Sequence, residues 1–387
     1  MLKVILNKGE EKRIIDGHPW VFSNEVRGFE GEIKAGAICD CYSYDNRFIG
    51  RGFFNSNSKI MVRILSKNQI EIDKDFFYDR IKKANDFRIS IGLDDNYRVC
   101  FSESDGLPGL IVDKYGKYLV IQIMSLGLNN FKEDIIDILV DIFNPLGIYE
   151  RSDVSVRKKE GLEEFKGTIY GEVPDIVRIN ENGILINVDV KNGQKTGYFL
   201  DQKMNRKMVS EYAKNKNVLD LFSHTGGFGL NARKMNANFV TCVDISEKAC
   251  DDIRANIKLN NFDNMDVVCA DVFDYLRLEE NKNKYDLIIL DPPAFTKDKN
   301  TVEAAYRGYK DINLRAMKMI RSGGIICTFS CSQHMTPALF MDMINEARID
   351  SRREVRLIDF RIQSPDHPTM LESSESWYLK CAVLLVK

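Results

Sequence analysis

The segment from Val218 to Asp244 constrains this chain more than any other. An apolar run, Val218–Leu221, enters a turn that ends Gly226-Gly227-Phe228-Gly229, and a helix-compatible stretch, Leu230–Met235, follows. A second apolar run, Phe239–Val243, then ends in Asp244. Such a strand–turn–helix–strand unit lays an adenosine-bearing ligand across the carboxyl ends of a parallel sheet. Glycines let the backbone approach the ligand, and the terminal acid holds two ribose hydroxyls. The glycines do not follow the G-x-G-x-x-G spacing, so no pyrophosphate cradle is implied. S-adenosylmethionine fits this turn better than a dinucleotide.

Around the unit, strand and helix alternate. Helices are expected over Asp201–Ala213, Glu247–Asn260, Ala304–Met319 and Pro337–Arg348, and strands over Met265–Cys269, Leu287–Leu290, Gly324–Ser330 and Ala382–Val386. That alternation predicts a doubly wound α/β sheet over residues 186–387. A hairpin of Ile184–Val190 with Gly197–Leu200, turning at Asn192-Gly193, is expected at its start. Residues 73–185 begin with a helix, Asp75–Ile91, and continue with strands around a second helix, an α+β pattern. Residues 1–72 read as short strands and turns, a β module of adapter type. Two or three domains suit a chain of 387 residues.

Lys and Arg total 55 against 57 for Asp and Glu, a net charge of −2. This argues against a protein that coats nucleic acid by charge alone, though not against a local basic groove. The nine cysteines include no C-x-x-C pair, so neither a zinc ribbon nor a disulfide framework is expected. No metal is expected. With no apolar run near the roughly twenty residues that span a bilayer, and no signal-like leader, the chain reads as reduced and cytoplasmic.

Four successive strands of the third segment end at or near a carboxylate: Asp220, Asp244, Asp271 and Asp291. Any one of them could simply cap the next helix; four together with the glycine turn point to a ligand site. In that site Asp244 would take the ribose, Asp271 the adenine amino group, and Asp220 would order the glycine turn. Asp291-Pro292-Pro293-Ala294-Phe295 resembles the loop that clamps an exocyclic amine in N-methylating enzymes, but its ring comes one residue late. Cys331 lies beyond a strand in a polar Ser330-Cys331-Ser332 turn on the same rim. A thiol there could add to C6 of a pyrimidine and make C5 nucleophilic; the alternative is a structural thiol. His224 and His334 could shuttle protons or only satisfy local hydrogen bonds. Arg151, Arg157, Lys158, Lys159, Lys203, Arg206 and Lys207 could line an RNA path, or be solvated surface charge.

These residues lie within a wider pattern: His18–Ser23, Gly50–Asn55, Asp105–Leu110, Glu150–Asp153, Gly197–Gln202, Leu221–Gly229, Asp291–Phe295 and Thr328–Ser332. In order and spacing the chain resembles the large-subunit rRNA 5-methylcytosine methyltransferases that carry an N-terminal PUA domain. The resemblance implies a PUA-type barrel at 1–72, an α+β middle domain at 73–185, and a Rossmann-like methyltransferase domain at 186–387. It further implies S-adenosylmethionine as methyl donor, large-subunit rRNA as partner, and a homodimer. Cys331 maps to the nucleophile and Asp291 to the acid that bonds the cytosine ring nitrogen.

The full cofactor set expected is Asp220, Phe222, Thr225, Gly226, Gly227, Gly229, Asp244, Ile245, Ser246, Asp271, Val272 and Asp291, with Arg51 joining the RNA-path residues. The residue that removes the C5 proton is unassigned. The Asp366-His367-Pro368 segment runs on into a more polar stretch than the pattern leads one to expect. Two rival readings are methylation of a purine nitrogen, with Cys331 structural, and a non-catalytic RNA-binding assembly factor.

Overall fold

The computed structural model describes residues 1–93, 95–296 and 299–387. These form two compact units: Met1–Ile179 with Val188–Leu200 and Pro365–Ser376, and Asn180–Asn187 with Asp201–Ser364 and Trp377–Lys387.

In the first unit, β1 (Leu2–Leu6), β2 (Trp20–Phe22), β3 (Val26–Glu30), β4 (Ile38–Tyr42), β5 (Phe48–Phe54) and β6 (Ile60–Ser66) make one sheet in the order β2-β6-β5-β4-β1-β3, with helix α1 (Glu11–Ile15) between its first two strands. Alternation sets its core: Cys39 and Cys41 point inward from β4 beside Val4, Leu6 and Phe54. Helix α2 (Lys74–Ser90) follows, started by Asp73, whose carboxylate accepts the Phe76 amide at 2.9 Å.

A second sheet, β11-β10-β9-β8-β7, contains β7 (Asn96–Phe101), β8 (Leu110–Tyr115), β9 (Tyr118–Ile123), β10 (Gly147–Ser152) and β11 (Phe165–Gly171). The helices α3 (Leu126–Asn129), α4 (Lys132–Phe143) and α5 (Val156–Lys159) lie between its later strands. Phe77, Ile81 and Ala84, at helical spacing on α2, share a core with Ile135 and Leu139 of α4 and Val112, Leu119 and Ile121 of the sheet. Asp366 belongs to this unit. It accepts the Arg98 amide at 2.9 Å and offers its carbonyl to the fully buried Arg88 at 2.8 Å, so the Asp366-His367 opening builds the fold.

The hairpin around residue 190 forms differently from the sequence reading. β12 (Ile176–Glu181) pairs with β13 (Ile184–Asp189), turning at Asn182-Gly183, and Gly197–Leu200 is not a strand. A two-residue hairpin turn of this type needs positive φ at both residues. Asn182 (54°) and Gly183 (77°) meet that condition, whereas Asn192 and Gly193 are not among the positive-φ residues.

The second unit is a seven-stranded sheet in the order β16-β15-β14-β17-β18-β20-β19. Its strands are β14 (Asn217–Leu221), β15 (Phe239–Asp244), β16 (Met265–Cys269), β17 (Leu287–Leu290), β18 (Gly324–Ser330), β19 (Val355–Arg361) and β20 (Lys380–Val386). The helices are α6 (Lys203–Glu211), α7 (Gly227–Lys234), α8 (Glu247–Leu259), α9 (Val272–Tyr275), α10 (Val302–Met319) and α11 (Pro337–Ser351). The first five strands are parallel, and β20 joins antiparallel between β18 and β19. This is the doubly wound sheet expected from the alternation.

The strands are buried on both faces, by Leu219, Leu221, Ile288 and Leu290 on one side and Val218, Val240, Leu287 and Ile289 on the other. The chain moves outward from β14 to β16 and then returns to β17, so strand order reverses between β14 and β17. In such sheets the crevice outside the carboxyl ends at this reversal is the usual ligand position.

Candidate functional site

The crevice at the β14/β17 reversal is lined by acids. Asp220 is the penultimate residue of β14, Asp244 ends β15, and Asp291 directly follows β17. Asp220 is 1% exposed, and its Oδ2 accepts the Gly229 amide at 2.9 Å, tying the strand to the start of α7. Its Oδ1 is buried without a hydrogen-bond partner. Burial, with the negative charges of Asp291 and Asp244 added, pushes its pKa up to about 8. A buried carboxyl oxygen with no partner is a place for a polar group from outside the chain.

The turn itself is made of backbone. Gly226 has φ +80° as the cap of α7, while Phe222 (62°) and His224 (53°) hold left-handed conformations that non-glycine residues seldom adopt. At Gly229 a Cβ would lie 2.6 Å from the Cys242 sulfur and 3.2 Å from Asp220 Oδ2, so only glycine lets α7 sit this close to β14. Asp244 fixes the turn from the next strand, its Oδ2 accepting the His224 amide at 2.9 Å and its Oδ1 the Ser246 amide at 3.0 Å. Packing pushes the His224 pKa down to about 4, so its imidazole is neutral near pH 7. Gly227 and Thr225 are buried in the turn, and Ile245 beside Asp244 is 68% exposed, an apolar face offered to solvent. Asp271 caps α9, its Oδ1 accepting the Phe273 and Asp274 amides at 2.7 and 3.2 Å ahead of buried Val272. The capping reading of this acid is therefore realised at one oxygen.

Asp291 opens the opposite side. Its Oδ1 accepts from Gln202 Nε2 at 3.0 Å, and Gln202 is held in turn by Asn205 at 2.8 Å. Phe295 packs among Phe222, Phe273 and Tyr309, with the Tyr309 ring centroid 4.6 Å away. Committed to this cluster, the ring of Phe295 is not presented as a stacking face in the manner of amine-methylating loops.

Leu290 is in register with Thr328, which puts the Ser-Cys-Ser turn beside the Asp291 loop. Cys331 is half-buried, its Sγ 3.9 Å from the Pro292 carbonyl, whereas Cys242, Cys250, Cys327 and Cys381 are buried in the core. Ser332 Oγ bonds the Tyr309 hydroxyl at 2.9 Å, and Lys380 Nζ donates to the Ser332 carbonyl at 2.7 Å. Gln202, Tyr309 and Lys380 were not singled out in the sequence. Gln202 was visible only as the end of the Gly197–Gln202 block; the other two carry no local signal.

The expected RNA path needs correction. Arg151 (6% exposed) donates to the Val190 and Gly193 carbonyls, and Arg157 (5%) to the Ile123 and Glu163 carbonyls. Arg206 (3%) makes a two-pronged ion pair with Glu181 at 2.6 and 2.7 Å. These three build the fold instead of lining a groove, because burying a guanidinium requires acceptors inside the protein. Arg51 is paired with Asp40, and exposed Lys158 with Glu164; Lys203 is half-buried on α6. No helix among the described residues is long and apolar enough to cross a membrane.

Comparison with known proteins agrees with this arrangement. Residues 4–67 match the PUA-like domain family, and residues 162–374 the S-adenosylmethionine-dependent methyltransferase family. Ribosomal RNA large subunit methyltransferase I of Vibrio vulnificus is 40% identical, over 98% of this chain and 99% of the relative. The Aeromonas salmonicida protein of the same name is 42% identical over 98% of each. Among solved structures, a Streptococcus mutans SAM-dependent methyltransferase superposes with a TM-score of 0.84 at 24% identity over the whole of both chains. A methyltransferase complexed with SAH does so with a TM-score of 0.86 at 24% identity, again over all of both chains.

Proposed function

Because the chain belongs to the ribosomal RNA large subunit methyltransferase I family, with its PUA-like and S-adenosylmethionine-dependent methyltransferase domains, we propose that it forms 5-methylcytosine in large-subunit rRNA through a Cys331–C6 adduct. The observation that carries the reading is the half-buried Cys331 sulfur 3.9 Å from the Pro292 carbonyl, next in sequence to the Asp291 carboxylate.

The crevice residues fit the donor. Asp244 is suited to the ribose hydroxyls, with Ser246 at the start of α8 and exposed Ile245 as an apolar face for the adenine. Asp271 Oδ2 and the Val272 amide are suited to the base edge, and Asp220 with the Phe222–Gly229 turn to the cationic methionine end. When bound, S-adenosylmethionine supplies an electrophilic sulfonium methyl to a carbon made nucleophilic beside it.

The chain's own residues prepare that carbon. The Cys331 thiolate adds to C6 of the cytosine, breaking the C5–C6 double bond and leaving C5 as an enamine carbon. Asp291, steered by Gln202, carries a proton that it gives to the ring nitrogen N3 as the thiolate adds, neutralising the charge that develops there, and takes it back when the thiolate leaves. After methylation, loss of the C5 proton restores the double bond and expels the thiolate. The target base must leave its stack to reach this rim, at a cost of a few kcal/mol.

The test is an rRNA fragment containing 5-fluorocytosine, which has no C5 proton to lose. Wild type should give a covalent protein–RNA band, and Cys331→Ser should not. Normal methylation by the serine variant, or a methylated purine as the product nucleoside, would overturn the reading.

A further inference from the structure

Lys380 is among the largest fully buried side chains, with no exposed surface, yet it is a cation. It opens β20 opposite Ser330 on β18, and its Nζ donates to the Ser332 carbonyl at 2.7 Å and the Tyr378 carbonyl at 2.8 Å. Among the described residues it forms no ion pair. Two backbone carbonyls do not neutralise a buried ammonium, and burial of such a charge without an anion is costly. A position of this kind is retained where its potential is used.

The acceptor it grips is the carbonyl of the residue directly after Cys331. A thiolate there also faces the lone pairs of the Pro292 carbonyl at 3.9 Å, which disfavour negative charge. Among the described residues, titratable groups near the turn include His334 three residues on, Tyr309 on α10, Asp291 directly after β17, and Lys380 on β20. Of these, Lys380 is the buried ammonium bonded to the turn. Burial lowers its pKa to about 8, and the Cys331 sulfur acts in the opposite direction, so the two groups sense one another.

We propose that Lys380 is a positioning residue: the buried counter-charge that holds Cys331 as a thiolate. The thiol proton leaves to solvent, Lys380 stays an ammonium, and its bond to the Ser332 carbonyl keeps the charge in place beside the sulfur. The inference deepens the nucleophile reading and rests on it for its purpose.

The experiment follows iodoacetamide alkylation of Cys331 against pH in the intact chain without RNA, with the Cys331 peptide read by mass spectrometry. Wild type should show a midpoint below the ordinary thiol value of about 8.5. Lys380→Met should raise that midpoint by about one unit or more, and Lys380→Arg, which keeps the charge, should largely retain it. A purely structural role for Lys380 would alter melting temperature and leave the midpoint where it was. A wild-type midpoint at or above 8.5, which needs no variant to fold, overturns the proposal, as does an unshifted midpoint in a folded Lys380→Met protein. A low midpoint without an RNA adduct would instead remove the nucleophile reading and leave the counter-charge standing.

Discussion

The two sides of the crevice are built on different principles. On the β14/β15 side, polarity is local: backbone amides of Gly229, His224 and Ser246 meet Asp220 and Asp244 within a segment of the chain that folds on itself. On the β17/β18 side, Asp291 depends on Gln202, 89 residues away, and the turn bearing Cys331 on Lys380, 48 residues from its Ser332 contact. A surface made of backbone can bind a ligand of fixed shape, whereas chemistry at a thiol needs side chains that only the completed sheet brings together.

The comparison breaks most sharply at Cys331. Replacing it by serine should lower methyl transfer by at least about a thousandfold while donor affinity, measured by calorimetry, stays at the wild-type value. An equal loss of both would mean that the two sides are not separable. Gly229→Ala should do the reverse. Its methyl group would overpack against Cys242 and Asp220, costing about 1–3 kcal/mol in denaturant melts, and donor affinity should fall before chemistry does. Gln202→Ala should leave Asp291 unsteered and reduce turnover by roughly ten- to a hundredfold, with little change in donor affinity. That result would place the effect on the side assembled over long range.

A last prediction sharpens the local side through the pH dependence of stability. The Asp220 pKa is raised to about 8 in the fold from an unperturbed 3.8. Between those values the folded state holds a proton that the unfolded state has released, so this group makes stability fall as pH rises from about 4 to about 8. Asp220→Asn keeps an acceptor for the Gly229 amide and should flatten that slope in thermal melts recorded across the interval. A variant with the wild-type slope would show that another group is responsible.

How much could be read from residues alone follows the same division. The Val218–Asp244 unit, the alternation of the third segment and the position of Cys331 were legible because each depends on neighbours in sequence. Lys380 was not, since it reads as the polar start of an apolar strand and acquires meaning only when β20 pairs with β18. Arg151, Arg157 and Arg206 were misread because basic residues are usually solvated, and nothing nearby in sequence reveals the Glu181 partner or the carbonyls that bury them. Of two Asn-Gly pairs ten residues apart, the hairpin uses Asn182-Gly183, where both residues take positive φ. The edge strand β19 was missed since its middle is exposed, so its pattern resembles a loop.

The left-handed conformations of Phe222 and His224 carry a consequence for kinetics. Their strain is met when the chain folds and is already settled when a ligand arrives, so little backbone remains to be ordered on encounter. Recognition there should resemble insertion into a mould. Association rates should change little from one analogue to the next, with residence time separating strong ligands from weak ones.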